Sequence, residues 1–158
     1  IGVEINPTAF EIAKKNGIEI YNCVEDIPDE YVDVIISNNA LEHTLRPLDE
    51  LKALKSKLKV EGKIIFVVPC ESIKYSYKPN DINHHLYSWS PMCLGNMFTE
   101  AGFSLIESKA YIHKWPPKSL FIAKIGGRIL FDLSCRIYAR IERSWFQVRA
   151  VGEKTTTV

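Results

Sequence analysis

Residues 31–69 read YVDVIISNNALEHTLRPLDELKALKSKLKVEGKIIFVVP, and this stretch decides the fold. YVDVIIS (31–37) is a continuous, largely β-branched run, the pattern of a strand buried on both faces of a sheet. Pro47 opens the helix PLDELKALKSKLK, with Leu48, Leu51, Leu54 and Leu58 at helical spacing and lysines on the other side. Gly62 closes that helix before the strand KIIFVVP (63–69). A strand, a helix of more than ten residues and a second strand make a right-handed crossover between parallel neighbours.

Working outward, the same alternation continues. Ile1–Glu4 reads as a short strand, and Asn6-Pro7 as an N-cap with proline at the first helical position for AFEIAKKN, ended by Gly17. IEIYNC (18–23) is a second strand, followed by the acidic loop VEDIPDE. Beyond Pro69 runs a long polar and aromatic loop, CESIKYSYKPNDINHHLYSW, then the helix SPMCLGNMFTEAG. Loops of this length in a compact domain are functional or disordered inserts. FSLIESKAYIHKW and FQVRAVGEK read as partner strands. Between them lies a helix with Leu130, Leu133, Ile137, Ile141 and Trp145 on one stripe and Arg136, Arg140 and Arg143 elsewhere, its start marked by Gly126-Gly127. The expected architecture is one α/β domain over 1–158 with a doubly wound, mostly parallel sheet. Its parts are βαβ units (1–69), a loop and helix (70–102), and terminal strands (103–154) with an inserted basic helix (118–145).

Composition bounds the function. The chain has 158 residues, 46% of them hydrophobic and 25% charged, an ordinary globular composition. Four dispersed cysteines form no CxxC pair, so neither a structural metal nor a disulfide framework is expected, and a reducing, cytoplasmic setting fits. No apolar run has the length of a membrane span. Residues 1–117 carry 12 Lys/Arg against 16 Asp/Glu, whereas 118–149 carry 7 against 2. The basic segment is either a lid with solvated arginines or a surface for an anionic lipid or sugar phosphate, and no aromatic-basic platform for nucleic acid is evident. The chain opens mid-strand without an initiator methionine, which raises the expectation of a fragment.

The segments GVEINP, YVDVIISNNALEH, RPLDELKALKSKLKVEGKIIFVVP and LGNMFTEAGFSLIE resemble the class I S-adenosylmethionine-dependent methyltransferases that carry an LEH motif (type 11/23-like), over about residues 1–110. The resemblance implies a Rossmann-like doubly wound, mostly parallel sheet with an antiparallel last strand. It also implies that this fold is truncated here, with the first strand and its glycine-rich turn absent, since no GxGxG occurs. That strand belongs in the middle of the sheet, so an empty slot is expected beside the N-terminal unit, to be filled by another segment, a second copy or a rearranged N-terminus.

Ligands of such sheets bind beyond the carboxyl ends of the strands, and an acid there can accept both hydroxyls of a ribose. Glu4 is the candidate for that role, with Ile5 against the adenine; alternatively Glu4 serves the dipole of the following helix. Cys23 stands where the family commonly has an aspartate, leaving Val24, Glu25 and Asp26 toward the adenine edge, or simply as a solvated loop. Asn38, at the end of the buried strand, is either a wall beside the methionine portion or a turn residue. His43 of the LEH motif is a general base or, as its spread among unrelated substrates favours, a structural hydrogen-bonding group. His84, His85 and Tyr87 lie where the family builds its acceptor site; they face substrate, with a base role open to one histidine, or form a surface turn. Two adjacent histidines without a third ligand at metal spacing are a poor metal signal.

The expected function is methyl transfer to an unidentified small-molecule or lipid- or sugar-linked acceptor, with S-adenosylmethionine binding weak or absent in these residues alone. Two other readings compete: a non-catalytic remnant of the fold acting as an interaction module, and a nicotinamide-dependent dehydrogenase, against which the LEH run and terminal strand pair argue.

Overall fold

The computed structural model describes residues 1–142 and 146–156. Its elements alternate as the sequence pattern predicts. Strand β1 (Gly2–Val3) leads to helix α1 (Pro7–Lys15), β2 (Ile20–Tyr21), a 3₁₀ turn (Val24–Asp26) and β3 (Val32–Asn38). A second 3₁₀ turn (Leu41–His43), α2 (Pro47–Lys57), β4 (Leu58–Pro69) and α3 (Pro91–Glu100) follow. The chain ends with β5 (Ser104–Tyr111), α4 (Ser119–Glu142) and β6 (Gln147–Glu153).

The strands form two sheets. β1 and β2 pair in parallel, and a separate four-stranded sheet has the order β3-β4-β6-β5. β3 and β4 run parallel in the register Ile36↔Ile65 and Asn38↔Val67. β6 enters antiparallel between β4 and β5, which gives the antiparallel last strand of the expected fold.

The core lies on one face of the larger sheet. Ile64, Phe66 and Val68 of β4 and Val148 and Ala150 of β6 are buried with Leu51 of α2, Leu94 and Phe98 of α3, and Trp89 and Phe103. Period-two alternation sends Ile64, Phe66 and Val68 to this face and Ile65 and Val67 to the other, where they are only partly covered. α3 is anchored by Ser90, whose hydroxyl accepts from the Cys93 N–H at 3.1 Å, and by Pro91 at its first position.

Four expectations need correction. β3 is not buried on both faces: Val34 is 52% and Ile36 74% exposed, because among the described residues no strand joins β1 to β3 and no helix covers that side. The second strand is limited to Ile20–Tyr21, since β1, its one partner among the described residues, offers two residues. α2 ends at Lys57 and passes directly into β4 rather than running to Gly62. α4 starts at Ser119, and Gly127 (φ 59°, ψ −164°) is a kink within it rather than its start, a conformation that glycine tolerates and other residues resist. The proposed end of that helix, with Arg143 and Trp145, lies outside the described residues. Among those described, no helix is long and apolar enough to cross a membrane.

Candidate active site

Parallel strands place their carboxyl ends at one edge, and a cavity of about 660 Å³ opens there on the sheet face opposite the core. Ile36, Asn38, Val67, Tyr111, Trp115 and Gln147 are among the residues that line its walls. Asn39, in the left-handed region (φ 53°), turns the chain out of β3, and its Oδ1 accepts from Gln147 Nε2 at 3.1 Å. Asn38 is therefore both at a strand end and in a cavity wall.

At the end of β1, the Oε1 of Glu4 accepts the Asn6 N–H at 2.8 Å, while Asn6 Oδ1 caps α1 by accepting from Thr8 and Ala9. This contact serves the start of α1, the alternative to a ribose role for this acid. Ile5 is 85% exposed beside it. Val24 and Glu25 lie in the 3₁₀ turn beyond β2, and the neighbouring Cys23 thiol is pushed up by hydrogen bonding to Asp26. These are the residues expected from the sequence to meet an adenosyl cofactor; among the described residues β1-β2 and β3-β4-β6-β5 form separate sheets, with no strand joining β1 to β3.

The long loop folds back onto the LEH turn, with the Leu86 N–H donating to the Glu42 carbonyl at 2.9 Å. This brings Glu42, His43 and His85 together, their donor atoms all within 4.8 Å of one another. His85 Nδ1 is 2.7 Å from Glu71 Oε1, and its Nε2 faces Glu42 Oε1 at 3.9 Å, the same separation as that of His43 Nε2 from Glu42 Oε1. The two imidazole rings meet edge to face at 5.0 Å. Glu42 is fully buried, and neither of its carboxyl oxygens has a hydrogen bond. Desolvation pushes its pKa above the usual carboxylate range. His84 stays apart, exposed, with its N–H donating to Asp81 Oδ2 at 3.0 Å. The Tyr87 hydroxyl donates to the Leu45 carbonyl at 3.2 Å.

The sequence thus named both histidines of the cluster but missed Glu42 and Glu71 as their carboxylate partners. Glu42 adjoins His43 in the motif, which was the available signal; Glu71 is 14 residues from His85, a separation that only the folded loop closes.

The sequence profile of the family described as "Methyltransferase domain" matches residues 1–108. No curated protein sequence matches. An S-adenosylmethionine-dependent methyltransferase from Archaeoglobus fulgidus aligns with TM-score 0.59 and 18% identity, over 97% of this chain and 75% of that one. The 1,6-didemethyltoxoflavin-N1-methyltransferase of Burkholderia thailandensis, solved with its substrate and S-adenosylhomocysteine, aligns with TM-score 0.61 and 16% identity over 97% and 60%. The [4+2]-cyclase SpnF aligns with TM-score 0.63 and 12% identity over 99% and 66%. The chain thus spans less than two thirds of two of these proteins, and a cyclase among them shows that the shared fold does not fix the reaction. The Rossmann-like fold and the match over residues 1–108 together place this chain in the methyltransferase-domain family.

Proposed function

We propose that these residues form the acceptor side and the ribose end of an S-adenosylmethionine-dependent methyltransferase acting on an unidentified small-molecule or lipid- or sugar-linked acceptor. The observation that carries the reading is the cavity at the carboxyl ends of β3 and β4, with Asn38 in its wall. The cofactor supplies an electrophilic methyl group; the protein's task is to hold the nucleophile in line with it in a water-poor pocket, an effect worth about 7–11 kcal/mol in well-oriented systems. Glu4 binds the ribose hydroxyls, Ile5, Val24 and Glu25 border the adenine, and Asn38 orients the reacting end. His85, steadied through Nδ1 by Glu71, accepts the acceptor's proton at Nε2, with His43 across the ring contact and exposed His84 at the loop rim.

In these 158 residues alone the cofactor binds weakly or not at all, because no strand joins β1 to β3 among the described residues and no GxGxG turn occurs in the sequence. Calorimetric titration with S-adenosylhomocysteine tests this: no measurable heat is expected from the 158 residues and micromolar affinity from a longer form, whereas micromolar affinity of the 158 residues would refute it. The setting is a reducing, cytoplasmic one. A second reading, an interaction module that has lost catalysis, is favoured by the unpaired edges of β1 and β3 and by exposed Val34 and Ile36. A longer form that binds no adenosyl cofactor would select it.

A further inference from the structure

α4 does not sit as a lid whose apolar stripe packs on the sheet. Its small residues face inward instead: Cys135 and Ala139 are buried, and the N–H of Lys114, in the segment after β5, donates to the Cys135 carbonyl at 3.4 Å. The expected stripe faces outward, with Leu130 45%, Leu133 52%, Ile137 48% and Ile141 75% exposed. Between these two faces runs a ridge at four-residue spacing, Arg128, Asp132, Arg136 and Arg140, which lines a cavity of about 510 Å³ against β5 and β6.

The lining is rich in cations. Lys109 and Arg149 face the ridge from the sheet, both paired with Glu107, and among the residues that line the cavity Asp132 is the one acid. Arg149 is held by Glu107 and lies 5.4 Å over the Tyr111 ring; Arg128 Nε reaches Asp132 at 3.8 Å while remaining 93% exposed. Arg136 has no ion pair or hydrogen bond among the described residues. Tyr111 and His113 line both this cavity and the one at the strand ends, so the two adjoin.

A helix with an outward apolar face flanked by a row of arginines lies in the plane of a membrane surface, its apolar side among the acyl chains and its cations among anionic headgroups. We propose that α4 is an interfacial helix that seats the protein on an anionic lipid surface, and that the arginine cavity takes the phosphate of an amphiphilic acceptor and delivers it to the strand-end cavity. This inference names the acceptor class for the proposed methyl transfer and rests on that reading only for its second clause.

The test is co-sedimentation of the protein with vesicles of phosphatidylcholine containing phosphatidic acid, against pure phosphatidylcholine vesicles, with no adenosyl cofactor present. Binding to the anionic vesicles alone is expected, weakened at least tenfold in Arg136→Glu/Arg140→Glu and in Ile137→Ser/Ile141→Ser. Circular dichroism confirms that each variant is folded, and Arg136→Gln, expected to weaken binding by a smaller factor, serves if the doubles are not. Equal binding to both vesicles, or variants that bind as the parent does, would overturn the proposal. So would binding of inorganic phosphate that the apolar variant leaves intact without any vesicle binding, which would make the ligand a soluble phosphate. A dimer dispersed by Ile137→Ser/Ile141→Ser, with no vesicle binding, would assign the apolar face to a second copy and overturn it too. Because no cofactor is involved, a failed methyl-transfer reading leaves the vesicle result standing.

Discussion

Glu42 is the side chain whose replacement separates a structural role from a chemical one. It is fully buried, both carboxyl oxygens lack hydrogen bonds, and the nearest ring nitrogens, Nε2 of His43 and of His85, lie 3.9 Å from Oε1, beyond hydrogen-bonding distance. A buried polar group left unsatisfied costs about 1–3 kcal/mol. Glu42→Leu, similar in size and free of that cost, is predicted to stabilise the protein by about 1–3 kcal/mol, read as a higher urea midpoint at unchanged slope. The melting temperature should rise by about 2–4 °C per kcal/mol. The sign with pH follows from the raised pKa of the folded state: as pH rises above the unfolded value of about 4.3, the unfolded chain ionises first, so the parent loses stability relative to the variant until the folded carboxyl also ionises. The advantage of Glu42→Leu should therefore be smallest near pH 4 and grow as pH rises. A loss of 1 kcal/mol or more at neutral pH would refute this reasoning and make the carboxyl a structural group.

Ile36→Ser should change stability by no more than about 0.5 kcal/mol in these residues alone, because the side chain is 74% exposed; a larger loss would show the outer face of β3 to be covered in solution. His85→Ala in a form active in methyl transfer should lower turnover about a hundredfold with little change in acceptor KM, and chelators should leave the parent's rate unchanged; metal dependence would reassign the cluster. Glu107 is held below the usual carboxylate range by hydrogen bonds to Lys109 and then Arg149. Its contribution is full at neutral pH and is lost as pH falls from the unfolded value of about 4.3 through the lower folded value, so the stability deficit of Glu107→Gln should shrink as pH drops below about 4.3 and vanish once the folded carboxyl is protonated; a deficit that does not shrink on acidification would mean that lost packing is responsible.

What the sequence made legible follows from which forces are local. The run from Val32 to Pro69 announced a parallel crossover because hydrophobic period and proline placement are written in neighbouring residues, and the structure pairs Ile36 with Ile65 and Asn38 with Val67 accordingly. The antiparallel terminal pair was expected from the family resemblance, and β5 and β6 do pair antiparallel. Burial was not. Val34 and Ile36 carry the composition of a central strand, but whether a strand is covered depends on its neighbours in space, and here one neighbour position is open. α4 misled in the same way: an apolar stripe predicts an inward face, whereas in the structure the small residues Cys135 and Ala139 are buried and the stripe is exposed. In the site, His43 and His85 could be named from a motif and a loop, but their meeting through Glu42 required the hydrogen bond from Leu86 that closes the loop.

The central claim is that the carboxyl edge bearing Glu4 and Asn38 is one half of an adenosyl-cofactor cradle. A crystal structure of the longest expressed form of the protein with S-adenosylhomocysteine tests it most directly. The account predicts both ribose hydroxyls within hydrogen-bond distance of the Glu4 carboxylate, the thioether sulfur beside Asn38, and a strand filling the gap between β1 and β3. Density for the cofactor elsewhere, or Glu4 and Asn38 facing separate clefts, would contradict it.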